Sequence, residues 1–332
     1  HEVDYIRTNK SNLKDAFGDI GVHNMYSMFI AAIIDMAKDG SVIGIITLDS
    51  FLTSKAHAPL REKIINETTI HDIILCPTSL FLEQGADVRT CIIIMTKEKL
   101  QNTVNLLNRP TNIQDFFSVL EQKSFVKSKL TDILLSGEQD NFEFMIDVPK
   151  QIRQLFQLKR VGELFKCITG ISTGNDNKYL SSQKRTGFNV PFYKNPASRK
   201  FYCTENAYLI DSFLEESASV NNFMVRNVKL LFKAGITCSS MGVEFSACYL
   251  PPNSTFGVNP NIICDEEDIW WLLGYMNSDL VKFIVRGVLI RSNMVTSGYI
   301  SRVPVPKLSL EEKFQLSEFA KEAYEHSKVN KD

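Results

Sequence analysis

The sequence predicts an α/β layered sheet at its start, a second domain of the α+β class after it, and a helix at its end. Helical periodicity alternates with continuous apolar runs of strand length over the first hundred residues, which is typical of helices and strands in layers. From residue 151 onward, short strand-like runs are separated by Gly, Asn and Pro, as in a mixed domain. Residues 311–326 then follow a charged amphipathic helical pattern.

The first part contains two kinds of segment. Apolar residues at three- and four-residue steps from Met25 to Met36 predict a helix that ends at Asp39-Gly40. The run at 41–47, rich in β-branched residues, follows directly and predicts a buried strand. The same patterns predict a helix at 59–66, strands at 70–75 and 88–96 joined by the loop 76–87, and a strand at 104–107. A Gly-rich turn of the kind that opens a doubly wound nucleotide-binding sheet does not occur among them.

These patterns predict four regions. Residues 1–108 form the layered sheet, 109–150 a connecting region, 151–310 the second domain and 311–332 the terminal helix. In the second domain, the run from Gly170 to Tyr179 is rich in turn residues, and helices are predicted at 266–276 and 278–285. A tryptophan pair, Trp270-Trp271, fits core packing in the first of these helices.

The composition is that of a two-domain globular protein. The 332 residues carry a formal net charge of −1, but residues 1–150 have 15 basic and 20 acidic side chains, whereas 151–310 have 18 and 12. The second domain is therefore the part that could meet a polyanion. Seven scattered cysteines without C-x-x-C indicate reduced thiols of a cytoplasmic protein and predict no metal site. The apolar runs are too short for a membrane span.

Familiar catalytic signatures are missing from the sequence. It contains no G-x-S-x-G, H-E-x-x-H, Walker or Rossmann motif. His23, His57 and His71 are isolated, and each is interpreted as a surface residue or a hydrogen-bonded core residue.

The order of the segments carries more information than any single motif. Read together, HNMYSMFIAAIIDMAKDG, SVIGIITLDSFL, PLREKIINETTIHDIIL and LFLEQGADVRTCIIIMT resemble the second half of the catalytic domain of γ-class N6-adenine DNA methyltransferases. The similarity is to enzymes of type II and IIG restriction–modification systems. The later segments LFKCITGISTGNDNKYL, LGYMNSDLVKF and SGYISRVPVP resemble the target-recognition domain of that family. One small departure is Leu48, where the family usually has proline in T-P-D-S-F-L.

The resemblance implies a partial Rossmann-like methyltransferase sheet followed by an α+β target-recognition domain and a C-terminal helix. It implies S-adenosylmethionine as methyl donor and double-stranded DNA as partner. The family's Gly-rich cofactor loop and its Asn-Pro-Pro-aromatic motif are absent, since the Asn-Pro pairs at 195–196 and 259–260 continue differently. We therefore expect a fragment of a longer polypeptide that is inactive by itself and contains no catalytic residue.

Two aromatic residues match binding positions of the family. Phe81 falls in the loop that supplies a stacking face for the extruded target base. The alternative is that Phe81 is a core aromatic between two strands. Phe29 matches the residue that packs on the adenine of the cofactor, but it also fits the apolar stripe of its helix.

In the second domain, polar and basic residues are the candidates for DNA contact, and they fall in the turn-rich loop, in two basic pairs flanked by aromatics, and at one later arginine. The residues are Ser172, Thr173, Asn175, Asn177, Lys178, Lys184, Arg185, Arg199, Lys200 and Arg291. A polar hairpin and ordinary solvated surface are the alternatives.

Two other functions stay open. The chain could be a non-catalytic DNA-specificity subunit that works with a partner methyltransferase chain, or an inactive paralogue. A half sheet also leaves an unpaired strand edge, which we expect a second copy, the connecting region 109–150 or a preceding segment to cover.

Overall fold

The computed structural model describes residues 2–100, 103–135, 140–242, 244–290 and 294–330. The chain divides into two compact units, His1–Gln154 and Leu155–Asp332. The division lies close to the change of sequence pattern at residue 151. Among the described residues, no helix combines the length and apolar character needed to cross a membrane.

In the first unit, the described residues form one five-stranded sheet with helices packed on it. The strands are β1 Val42–Leu48, β2 Thr69–Leu75, β3 Thr90–Thr96, β4 Thr103–Leu107 and β5 Val126–Lys129. The helices are α1 Glu2–Thr8, α2 Lys10–Phe17, α3 Met25–Met36, α4 Ala58–Glu67, α5 Ile113–Gln122, α6 Leu130–Ile133 and α7 Lys150–Leu155, the last of which spans the division. Short 3₁₀ turns occur at Asp49–Leu52, Lys55–His57 and Leu82–Gln84.

The strand order is β1-β3-β2-β4-β5. Strand β3 runs antiparallel between β1 and β2, β4 is parallel to β2, and β5 is antiparallel to β4. The strands β1, β2 and β4 therefore end at the same edge of the sheet, which we call the carboxyl edge. The loops that follow these strands gather there, and ligands of open α/β sheets bind at such an edge.

Local chemistry explains where the elements begin. The side chain of Asn24 accepts a hydrogen bond from the backbone N–H of Ser27 and caps α3. Buried Arg61 on α4 donates to the carbonyls of Phe51 (2.6 Å), Ser54 (2.7 Å) and Asn141 (2.6 and 3.0 Å). One fully buried guanidinium thus holds together the turn after β1 and the segment around residue 141.

The strand at 41–47 is not buried as expected. Val42 is 72% exposed and Ile46 is 50% exposed, while Ile43 between them is buried in the core. The prediction of a buried strand is therefore wrong for one face of β1, because the described helices cover that strand on one side only. Within the described residues β1 also pairs with β3 alone, so its other edge carries no strand.

At the other edge of the sheet, the region 109–150, which was predicted as a connection, adds a strand. Its residues 126–129 form β5, which pairs with β4 from Val126 to Lys129. The segment 109–150 thus adds a strand beside β4 and not beside β1, so among the described residues the edge of β1 stays without a strand and its expected cover stays a prediction. The predicted segment boundaries themselves stay predictions.

The described residues of the second unit form three small sheets. Its strands are β6 Lys166–Ile168, β7 Ile171–Ser172, β8 Leu180–Ser181, β9 Val190–Tyr193, β10 Ala207–Leu209, β11 Met224–Val225, β12 Gly235–Cys238, β13 Ala247–Leu250, β14 Thr255–Phe256 and β15 Asn261–Ile263. They form the sheets β14-β9-β10-β8, β11-β7 and β13-β12-β15-β6. Its helices are α8 Val161–Leu164, α9 Asp176–Tyr179, α10 Phe213–Ser219, α11 Glu266–Met276, α12 Asp279–Phe283, α13 Ser297–Ser301 and α14 Leu310–Val329. A π-helix, Ile284–Leu289, continues α12.

Aromatic side chains hold α14 in place. Trp270 stacks on Tyr249 at 5.2 Å between ring centroids, and Tyr324 on α14 packs edge-on against both. Trp271 is buried, as its helical pattern predicted. Helix α14 begins with a capping box in which Ser309 and Glu312 bond reciprocally.

Candidate base-stacking and DNA-binding site

A partly buried ion pair joins three segments at the carboxyl edge of the first sheet. Arg109, after β4, contacts the carboxylate of Asp49 at 2.5 Å and also donates to the carbonyl of Cys76. Arg89, before β3, lies 3.3 Å from the same carboxylate. Burial lowers the pKa of Arg109, and Asp49 partly offsets that effect. These contacts fasten both ends of the loop 76–89, and sequence patterns could not reveal them because the partners are 60 residues apart.

Phe81 lies inside this fastened loop. Its carbonyl accepts hydrogen bonds from the backbone N–H groups of Gln84 (3.2 Å) and Ala86 (3.1 Å), and Gly85 closes the turn with φ +78°. The side chain of Phe81 is half-buried, whereas its neighbour Leu80 packs against a buried apolar cluster. The backbone of the turn is thus held by main-chain bonds, which do not depend on the Phe81 ring. Its role as a stacking face stays a prediction.

Phe29 is 61% exposed, although Met28 and Ile30 on either side of it are buried. The ring therefore points away from the core side of α3. The alternative interpretation of Phe29 as a core residue is wrong, because the apolar stripe that packs on the sheet consists of its neighbours. An exposed aromatic face of this kind fits a planar ligand ring.

A polar network lies at the start of α3. The Tyr26 hydroxyl lies 2.6 Å from Ser50 Oγ and 3.0 Å from His57 Nε2, and the Asn24 amide lies 3.1 Å from the same nitrogen. His57 is only 4% exposed, and desolvation, followed by the nearby His23 and Arg61, lowers its pKa to about 4. The interpretation of His57 as a hydrogen-bonded core residue is confirmed for Nε2. The contact between Tyr26 and Ser50 also places the start of α3 at the carboxyl edge.

In the second unit, the turn-rich loop from Gly170 to Tyr179 is held by hydrogen bonds among its own residues. The Thr173 hydroxyl, in a residue that is 5% exposed, donates to Asp176 at 2.5 Å, and the Asn175 side chain caps α9. Gly174 has φ +67°, and a Cβ there would lie 2.6 Å from the carbonyl oxygen of Asn222, so only glycine fits. Thr173 and Asn175 thus shape the loop whatever they contact outside it.

Three of the predicted residues, Ser172, Thr173 and Asn177, line one cavity of about 480 Å³. Sequence reasoning missed Asp176 and Lys194, which form an ion pair in its wall. Burial alone would raise the pKa of Asp176, but its bonds to Lys194 and Thr173 outweigh that effect and lower it. Lys178 points elsewhere, because its ammonium group donates to the Tyr179 hydroxyl at 2.9 Å.

The described basic residues of the two predicted pairs do not line this cavity. Arg185 lies over the Phe188 ring, 4.4 Å from its centroid, and Lys184 and Arg199 are exposed. Lys200 lies 3.9 Å from Glu244. The predicted residue Arg291 lies outside the described residues.

Lys282, which sequence reasoning did not select, adjoins Lys200. The neighbouring ammonium group of Lys282, more than burial, lowers the pKa of Lys200. Asp279 pairs with Lys282 at 2.8 Å. The structure thus brings Lys200, a predicted DNA-binding residue, next to another lysine, which lies on α12 about eighty residues further along the chain.

Comparison with known proteins finds a family that resembles the first unit. Residues 3–149 match the N-6 DNA Methylase family. No significantly similar sequence was found among curated proteins. The first unit is therefore similar to N-6 DNA methylases, and the predicted resemblance to N6-adenine methyltransferases of restriction–modification systems is confirmed.

Solved structures share the fold of nearly the whole chain. The type IIL restriction-modification enzyme MmeI in complex with DNA is 11% identical with a TM-score of 0.55, over 94% of this chain and 46% of that one. The ATP-dependent type ISP enzyme LlaBIII bound to DNA is 12% identical with a TM-score of 0.51, over 96% and 28%. At these identities the similarity is one of fold. The chain spans less than half the length of either structure.

Proposed function

We propose that the chain is part of a site-specific DNA methyltransferase of a restriction–modification system, acting on N6 of an adenine rotated out of the duplex. The observation that carries the proposal is the N-6 DNA methylase match over the first unit. Because the chain spans less than half the length of the matched structures, we assign the activity to the intact protein. The expected location is cytoplasmic.

Phe81 has the stacking role in this proposal. A base that leaves the duplex loses its stacking neighbours, and an aromatic face returns about 1–3 kcal/mol of that loss. Phe81 is half-buried on a turn whose backbone is held by its own hydrogen bonds and whose ends are fastened by Arg109. A turn whose backbone is already held in this way loses little conformational freedom on binding.

Phe29 has the role of cofactor contact. Its exposed ring suits the adenine of S-adenosylmethionine, which supplies the methyl group when it is bound. The 332 residues contain neither a Gly-rich cofactor loop nor an Asn-Pro-Pro-aromatic motif. We therefore assign no further cofactor contact, and no grip on the adenine amino group, to this chain.

The second unit is proposed to position the duplex. Its polar loop and the cavity beside it provide hydrogen-bonding groups of the kinds that read base edges, and its lysines and arginines suit phosphates. We propose that Thr173 and Asn175 shape the loop, and that Lys178 makes a weaker contact with DNA because it bonds to its neighbour Tyr179. The residues proposed to contact DNA directly are Ser172, Asn177, Lys184, Arg185, Arg199, Lys200 and Arg291.

A methylation assay with labelled cofactor on genomic DNA tests the proposal. It compares this chain with the polypeptide extended by its upstream coding sequence. We expect N6-methyladenine from the extended polypeptide only. If DNA is bound but methylated only after a partner chain is added, the specificity-subunit alternative is supported instead. Absence of both DNA binding and methylation in every form would refute both.

A further inference from the structure

A second cavity, of about 560 Å³, lies within the second unit, away from the loop described above. An early and a late segment of this unit meet there. The backbone N–H of Val305 donates to the carbonyl of Lys159 at 2.8 Å, and the backbones of Arg160 and Pro304 form an antiparallel β-bridge. Lys159 and Lys307 consequently line the same cavity, although they are 148 positions apart in the sequence.

The charges of this cavity are unbalanced. Its only acidic lining residue among the described residues is Asp268, which accepts a hydrogen bond from Trp271 Nε1 at 2.6 Å. Lys313 lies 3.5 Å from the same carboxylate and covers the Trp271 ring at 4.4 Å. One carboxylate is thus matched with one ammonium group. Lys159 and Lys307 are exposed and pair with no carboxylate in the described part of the chain, which leaves two positive charges over.

We propose that this cavity, which we call the lysine pocket, binds a phosphate group. Two uncompensated ammonium groups at a concave surface with apolar walls focus a positive potential, and lysine binds phosphate as a point charge. The phosphate belongs either to the DNA backbone or to a free phosphate compound. The DNA source rests on the proposed function, whereas the anion site itself does not.

The DNA source is tested with the double variant Lys159→Ala/Lys307→Ala, in which Lys313 is kept because it packs on Trp271. A matched control is Lys229→Ala/Lys233→Ala, which removes the same charge from exposed positions of the same unit. Each lost phosphate contact lowers the slope of log K against log salt by about 0.9. We expect the pocket variant to lose about 1.8 in slope, or roughly 60-fold in affinity at 0.1 M salt, equally for all sequences. An equal loss in the control would overturn the DNA source.

Calorimetric titration with pyrophosphate tests the anion site without DNA. We expect the wild-type chain to bind it, the pocket variant to lose binding at least tenfold, and Asp268→Asn to bind more tightly, because the amide keeps the bond to Trp271 but removes the negative charge. Pyrophosphate binding that depends on the pocket lysines, with unchanged DNA binding, supports a free phosphate compound as the occupant. If the variants match the wild type in both titrations, the lysine pocket is refuted. If neither this chain nor the extended polypeptide binds or methylates DNA, the proposed function is refuted, and the pyrophosphate titration then decides the pocket alone.

Discussion

Phe81→Ala in the intact protein is the most informative single substitution. The stacking face that it removes is worth about 1–3 kcal/mol, which corresponds to a roughly 5- to 150-fold smaller population of the extruded base. The fold should tolerate the change, because the Phe81 ring is half-buried and the turn is held through main-chain bonds to the Phe81 carbonyl. We therefore expect a 5- to 150-fold slower single-turnover methylation and an unfolding free energy within about 1 kcal/mol of the wild type.

Two variants in the same loop serve as controls. Phe81→Tyr keeps an aromatic face and should retain the wild-type rate within about twofold. Leu82→Ala removes an exposed apolar side chain next to Phe81 and should leave the rate unchanged. A Phe81→Ala rate within twofold of the wild type, or an equal loss in Leu82→Ala, would refute the stacking assignment.

Three further predictions concern stability and loop shape. Arg61→Ala leaves buried carbonyls without donors, so it should lower the unfolding free energy in urea by about 3–5 kcal/mol, and an unchanged midpoint would contradict this. The pKa of His57 is about 4 in the folded chain and 6.5 ordinarily, so the fold favours the neutral ring. The contribution of His57 to the unfolding free energy is therefore complete above pH 6.5 and decreases toward pH 4. We expect about 2 kcal/mol of loss between pH 8 and pH 5, absent in His57→Gln; equal pH dependence in both would refute the shift. Gly174→Ala should weaken DNA binding by the second unit at least fivefold, since Cβ meets the Asn222 carbonyl, and wild-type affinity would show that loop shape is unimportant.

Elements with a strong local period could be predicted from the sequence. The helix at 266–276 was predicted with the bounds observed, because helix periodicity and helix ends depend on residues that are close in the sequence. The burial of β1 was predicted wrongly because an apolar run does not reveal whether both faces have a cover. Whether Phe29 is buried could not be predicted for a related reason. It lies near the edge of the apolar stripe of its helix, where packing decides the exposure of a side chain.

Contacts between distant segments could not be predicted. The pairing of β5 with β4, the ion pair between Asp49 and Arg109 and the meeting of Lys159 with Lys307 depend on the tertiary fold alone. The family resemblance identified the loop of Phe81 but did not indicate which side chains hold that loop in place.

Photo-crosslinking tests the central claim most directly, that the loop 76–89 holds the extruded base. The duplex carries 5-iodouracil at the position that the intact protein methylates, and the crosslinked peptide is identified by mass spectrometry. The account predicts a crosslink at Phe81, lost in Phe81→Ala. A crosslink that maps to the second unit, or that persists unchanged in Phe81→Ala, would contradict it.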